Sequence, residues 1–159
     1  MQRRASARRA RVERGYSHLL VPLDLRRDSL SALEIACRLA ADNGAKITAV
    51  AVIEVPVQLP IDAHFRDQEE SARRLLERAE ATGDAYGVKV VPRLVRARDV
   101  SAAIVEQAIT GRSEVILVGA PRAQLTVSAR RIAPDPILRV LRDAPCRVMM
   151  VSSPVYEAA

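Results

Sequence analysis

The sequence predicts an α/β domain with a doubly wound, five-stranded parallel sheet of order 3-2-1-4-5, Rossmann-like in type. Three observations predict it. Apolar stretches of strand length alternate with amphipathic stretches of helix length from about residue 17 to residue 152. The strand stretches are continuously apolar, so both sheet faces are covered by helices. Pro92 falls inside the third stretch and places that strand at an edge, because proline cannot donate to a ladder. Right-handed crossovers then set the rest of the order.

The elements follow in turn. His18–Leu23 (HLLVPL) is the first strand and ends at Asp24. Asp28 or Ser29 is expected to cap the next helix, with Ser31 and Glu34 at capping-box spacing. Its inward face is read as Leu30, Leu33, Cys37, Ala40 and Ala41, and Asn43-Gly44 stops it. Ile47–Ile53 (ITAVAVI) is strand two. Pro56 and Pro60 break the following loop, and a long helix is expected from Asp62 to Ala85, with Ala72, Leu75, Leu76 and Ala79 inward and Gly83 and Gly87 at a fraying end. Val88–Val95 (VKVVPRLV) is strand three. Asp99 caps a helix with Ala103, Ile104, Ala108 and Ile109 apolar, and Gly111 ends it. Val115–Val118 is strand four, and residues 119–133 form a loop rich in Arg, Ser and Thr. Asp135 then reads as an N-cap with Pro136 at the first helical position. Ile137, Leu138, Val140 and Leu141 are that helix's expected stripe. Pro145 ends it, and Arg147–Val151 (RVMMV) is strand five.

The chain of 159 residues is one domain's worth. Residues 1–15 read as a basic disordered tail or linker, 16–153 as the folded domain and 154–159 as a C-terminal tail. The net charge is +6, but residues 1–14 hold six arginines against one glutamate, which leaves the body near neutral. Aromatic residues are only 3% and Trp is absent, which argues against recognition of single strands by base stacking; no specific nucleic-acid partner is expected. Cys37 and Cys146 lie in apolar runs and read as small buried hydrophobes in a reducing, cytoplasmic setting. No apolar run approaches the roughly 18 residues of a membrane span.

Nothing in the sequence forces a reaction. His18 and His64 are the only histidines, and neither has Cys or carboxylate companions at metal-ligand spacing. No nucleophile elbow, phosphate-binding loop of Walker type or dinucleotide fingerprint is present. No catalytic residue and no metal ligand are therefore assigned, and the protein is not expected to be an enzyme. What the topology does locate is a crevice: in such sheets ligands bind beyond the carboxyl ends of the strands where the order reverses. Here that lies between strands one and four, at Asp24 and Gly119. Both residues also have plain structural readings, as a turn carboxylate and a turn glycine.

The segments "HLLVPLD…SALEIACRLAADNGAKITAVAVIE" and "EVILVGAPR…ILRVLRDAPCRVMMV" resemble the start and end of universal stress proteins, over roughly residues 17–152. The resemblance implies the same fold, a homodimer and, in many members, ATP held by a Gly-x-x-Gly, nine residues, Gly-Ser/Thr motif. Gly119 matches the first glycine, but Arg122 stands in place of the second. The closing pair falls on Ile132-Ala133 counted forward, or on Pro134-Asp135 counted back from "VLRDAPC". An Asp135 carboxylate capping that helix takes the amides a phosphate would use, and repels it. ATP is therefore not expected to bind in the family's usual manner. Arg122, Arg130 and Arg131 leave positive charge in the same loop for another adenine nucleotide or a cyclic dinucleotide. With these the candidate ligand residues are Pro22, Leu23, Asp24, Val52, Gly119, Ala120, Arg122, Arg130, Arg131 and Asp135.

Strand five is the opposite edge, and Val148, Met149, Met150 and Val151 are apolar for an unpaired one, so a homodimer through this strand is expected. The first functional reading is a binding or regulatory module of stress response without catalysis. A second is the cytosolic regulatory tail of a membrane transporter that senses a nucleotide such as a cyclic dinucleotide; universal stress domains also occur as such tails, and an Arg-rich lead-in fits the cytosolic side of a last span, with residue 1 then not a native start. A third is a weak ATPase. No resident cofactor is expected.

Overall fold

The computed structural model describes residues 15–121 and 136–155. Strands β1 (His18–Leu23), β2 (Lys46–Glu54), β3 (Val90–Ala97), β4 (Val115–Gly119) and β5 (Arg147–Val151) alternate with helices α1 (Arg27–Ala41), α2 (Arg66–Ala85), α3 (Val100–Thr110) and α4 (Pro136–Asp143). All strand pairs are parallel, in the order β3-β2-β1-β4-β5. Pro92 sits on β3, which among the described residues pairs only with β2, so the edge assignment holds.

Alternate side chains of each strand feed two cores. Leu19, Val21, Ile47, Ala49, Val115 and Leu117 pack under α1 and α2. Leu20, Val50, Ile116 and Val118 pack under α3 and α4. Each fully buried Leu or Ile removes about 1.5–3 kcal/mol worth of apolar surface from water.

Several local expectations change in three dimensions. Neither Asp28 nor Ser29 caps α1: the N-cap position is Arg26, which makes no side-chain cap, and Asp28 lies in the first turn. The inward face of α1 is Ser29, Ala32, Leu33, Ala36, Cys37 and Ala40. Leu30 is only half-buried and Ala41 is exposed, because the buried stripe is rotated by one residue from the one read in sequence. Helix α2 begins at Arg66 rather than Asp62. The intervening residues form a turn closed by the Ala63 amide on the Pro60 carbonyl. Gly83 does not mark fraying; it is buried within α2, where a Cβ would strike the Val88 carbonyl and the Val90 side chain. Strand β3 starts at Val90, two residues later than expected.

Asp99 caps α3 as expected, accepting from the Ala102 amide at 3.0 Å. Ile109 nevertheless faces solvent. Gly111 ends α3 in a right-handed conformation, and the left-handed turn falls one residue later, on Arg112 with φ 49°. On α4 only Ile137 and Val140 are buried; Leu138 and Leu141 point outward. Cys37 is buried, whereas Cys146 is only half-buried. Burial pushes both thiols above their usual range, helped at Cys37 by the nearby Glu34 carboxylate.

Candidate functional site

Strands β1 and β4 lie side by side but run paired for only two residues, Leu19↔Val115 and Leu20↔Ile116. The β1–β2 ladder, by contrast, runs the whole length of β1. Proline explains the difference. The Ser17 carbonyl accepts from Lys46, toward β2, and the His18 carbonyl accepts from Glu114, toward β4. By alternation Pro22 faces β4, and it has no amide hydrogen to give. The ladder lapses there and the carboxyl ends part.

The gap is a cleft of about 280 Å³. Its apolar wall is Pro22, Val50 and Val52 from the sheet, Val100 and Ile104 from α3, and Ile137 and Val140 from α4. Its polar end is Asp24, Arg26 and Ser29, with Gly119 beside them. Arg26 holds the Asp24 carboxylate twice: its amide donates to Oδ1 at 2.9 Å and its Nε to Oδ2 at 2.7 Å. Both side chains are about half exposed, so the pair organises the site more than it stabilises the fold. The buried Ser29 hydroxyl sits within 2.8 Å of the Asp24 carbonyl, 2.9 Å of the Arg26 carbonyl and 3.2 Å of the Asp24 amide, fixing the β1–α1 corner.

Gly119 has a role beyond a turn. A Cβ there would land on the Asp28 carbonyl group and the Ser29 nitrogen, so glycine lets the end of β4 touch the first turn of α1. The Asp28 carboxylate in turn accepts from the Ser153 amide at 2.8 Å, just beyond β5. On the other side of the cleft, Asp99 pairs with Arg139 at 2.5 Å and the Ser101 hydroxyl donates to the Pro136 carbonyl at 3.2 Å, tying α4 to α3. The Ala102 amide and then Arg139 hold the Asp99 carboxyl below its usual range.

Pro22, Leu23, Asp24, Val52 and Gly119 thus meet at the cleft. Ala120 does not: it is buried behind the site, its amide donating to the Val151 carbonyl at 2.8 Å. Arg122, Arg130, Arg131 and Asp135 lie outside the described residues. Arg26 and Ser29 were missed in the sequence, as were the α3 and α4 wall residues. Arg26 carried a signal, as a charged residue three positions past the end of the strand at the switch point; the wall residues looked like ordinary core. Among the described residues no group of three or more His, Cys, Asp and Glu side chains is placed to hold a metal, and no helix is long and apolar enough to cross a membrane.

The model of the universal stress protein family matches residues 15–152. The chain belongs to that family. No curated protein sequence matches this universal stress protein, but many solved structures do. One from Burkholderia pseudomallei, also of the family, is 28% identical, with TM-score 0.66 over 85% of this chain and 95% of the other. A universal stress protein solved in complex with cAMP is 21% identical, with TM-score 0.68 over 87% and 98%. One from Archaeoglobus fulgidus in complex with dAMP is 14% identical, with TM-score 0.67 over 86% and 98%. The last two likenesses establish a shared fold.

Proposed function

We propose that this universal stress protein is a non-catalytic regulatory module of stress response that binds an adenine nucleotide with a single phosphate in the β1–β4 cleft. The observation that carries this reading is the arrangement at the switch point. Asp24 offers carboxylate oxygens to ribose hydroxyls, the Arg26 guanidinium offers positive charge to one phosphate, and the slot between Val50, Val52 and Ile104 suits a flat base. The cleft's 280 Å³ falls just below the roughly 300–1,000 Å³ usual for ligand sites, which favours a compact nucleotide. The family members solved with cAMP and dAMP support the class of ligand.

The sequence weighs against a triphosphate. Arg122 and the Ile132-Ala133 or Pro134-Asp135 pairs replace the glycines and hydroxyl that would cradle it, and the Asp135 carboxylate opposes it.

Calorimetric titration with AMP, cAMP and ATP tests the reading. AMP or cAMP is expected to bind about tenfold or more tightly than ATP, and Asp24→Ala, in a protein that still melts cooperatively, is expected to abolish the heat. Tighter binding of ATP than of AMP, or an Asp24→Ala protein that binds unchanged, would overturn it.

A further inference from the structure

A wide cavity lies at the other end of the sheet from the β1–β4 cleft. It opens at the amino ends of β4 and β5 and the C-terminus of α3, roughly 20 Å away along β1, and measures about 950 Å³. Its apolar surface includes the outward-facing Ile109, the exposed Pro145 and the half-buried Cys146. Two arginines, Arg112 and Arg147, stand on it. Among the described residues neither guanidinium has an ion-pair or side-chain hydrogen-bond partner. Among the described residues, the one carboxylate lining the cavity is Glu114, which accepts from the Ser17 amide at 3.3 Å.

This combination is not what folding alone requires. An arginine at φ 49° pays a backbone cost that glycine or asparagine would avoid. An isoleucine left exposed beside two unpaired cations makes an apolar floor with a positive rim. Arginine forks recognise carboxylates and phosphates by paired hydrogen bonds, and an alkyl chain or ring on the same molecule would cover Ile109 and Pro145.

We propose that this cavity is a second binding site, for a free amphiphilic anion: a carboxylate or phosphate head, held by Arg112 and Arg147, on an apolar body that lies over Ile109, Pro145 and Cys146. It is independent of the nucleotide reading.

The test uses the full chain with decanoate and decyl phosphate below their micellar concentrations. Cys37 is fully buried, so a maleimide reports on Cys146. Both anions are expected to slow labelling of Cys146 and to shift the amide resonances of Ser113, Glu114 and Arg147 while leaving those of Asp24 and Gly119 in place. The double variant Arg112→Gly, Arg147→Ser removes both cations, and its glycine relieves the left-handed backbone. It is expected to bind decanoate about tenfold or more weakly. Equal protection by decyltrimethylammonium, inorganic phosphate binding as tightly as decyl phosphate, or undiminished affinity in the double variant would each overturn the proposal. The last result would leave Arg112 as a partner of the α3 dipole alone.

Discussion

Gly119 and Ser29 show how single residues hold the site. Gly119→Ala places a methyl group against the backbone of Asp28 and Ser29, which cannot yield as a flexible side chain does. It is expected to cost about 1–3 kcal/mol, read as a fall in the urea midpoint with unchanged slope, and to displace α1 from the cleft. Gly83→Ala tests the same physics against propensity. Alanine is favoured over glycine in a helix by about 1 kcal/mol, yet the Val88 carbonyl and Val90 side chain occupy the space, so net destabilisation is expected in the same measurement. Ser29→Ala removes the hydroxyl that bridges the corner. It is expected to lower stability by about 1–3 kcal/mol for the unmatched polar groups and to weaken AMP binding, checked by denaturation and calorimetry.

At the scale of elements, carboxylates strap loops to helices. Glu69 lies buried near the start of α2, where it accepts from the Phe65 amide at 3.1 Å and pairs with Arg96 of β3, with His64 at 3.5 Å. Arg96 also donates to the Ala63 carbonyl, and Arg98, just past β3, to the Val55 and Pro56 carbonyls, so this end of the sheet pins both ends of the β2–α2 connection. The Phe65 amide first, and then Arg96, hold the Glu69 carboxyl below its usual range. A lowered folded pKa means that the unfolded chain takes up protons first as the pH falls. The contribution is therefore complete above the unfolded value of roughly 4.3 and is lost below it, down through the folded value. Asp99 follows the same sign with an unfolded value of roughly 3.9. Urea midpoints are expected to stay level from pH 7 to pH 5 and fall below it, and Glu69→Gln is expected to flatten that fall.

At the scale of the whole molecule, the sheet has two edges and treats them differently. Edge strand β3 carries Pro92 and the exposed Arg93, which discourage pairing. Among the described residues strand β5 pairs only with β4; its Val148, Met149 and Val151 are partly buried and Met150 is exposed. We propose that a second copy pairs along this edge. Sedimentation is expected to show a dimer that Met150→Arg shifts toward monomer without changing the melting temperature by more than a few degrees; a wild-type monomer at all concentrations would rule the pairing out.

The order of elements and the strand order were legible because apolar periodicity is a local signal and Pro92 marks an edge wherever the chain goes. Asp24 and Gly119 were legible as neighbours because the topology brings the ends of β1 and β4 together. Which residue began α1, which face of α4 met the sheet and why Gly119 has no side chain depended on what packs opposite, and residues distant in sequence supply that. Pro22 shows the division most clearly. Its missing amide hydrogen is written in the chain, but only the tertiary arrangement turned it toward β4 rather than β2, and so made a proline in a central strand into the opening of a cleft.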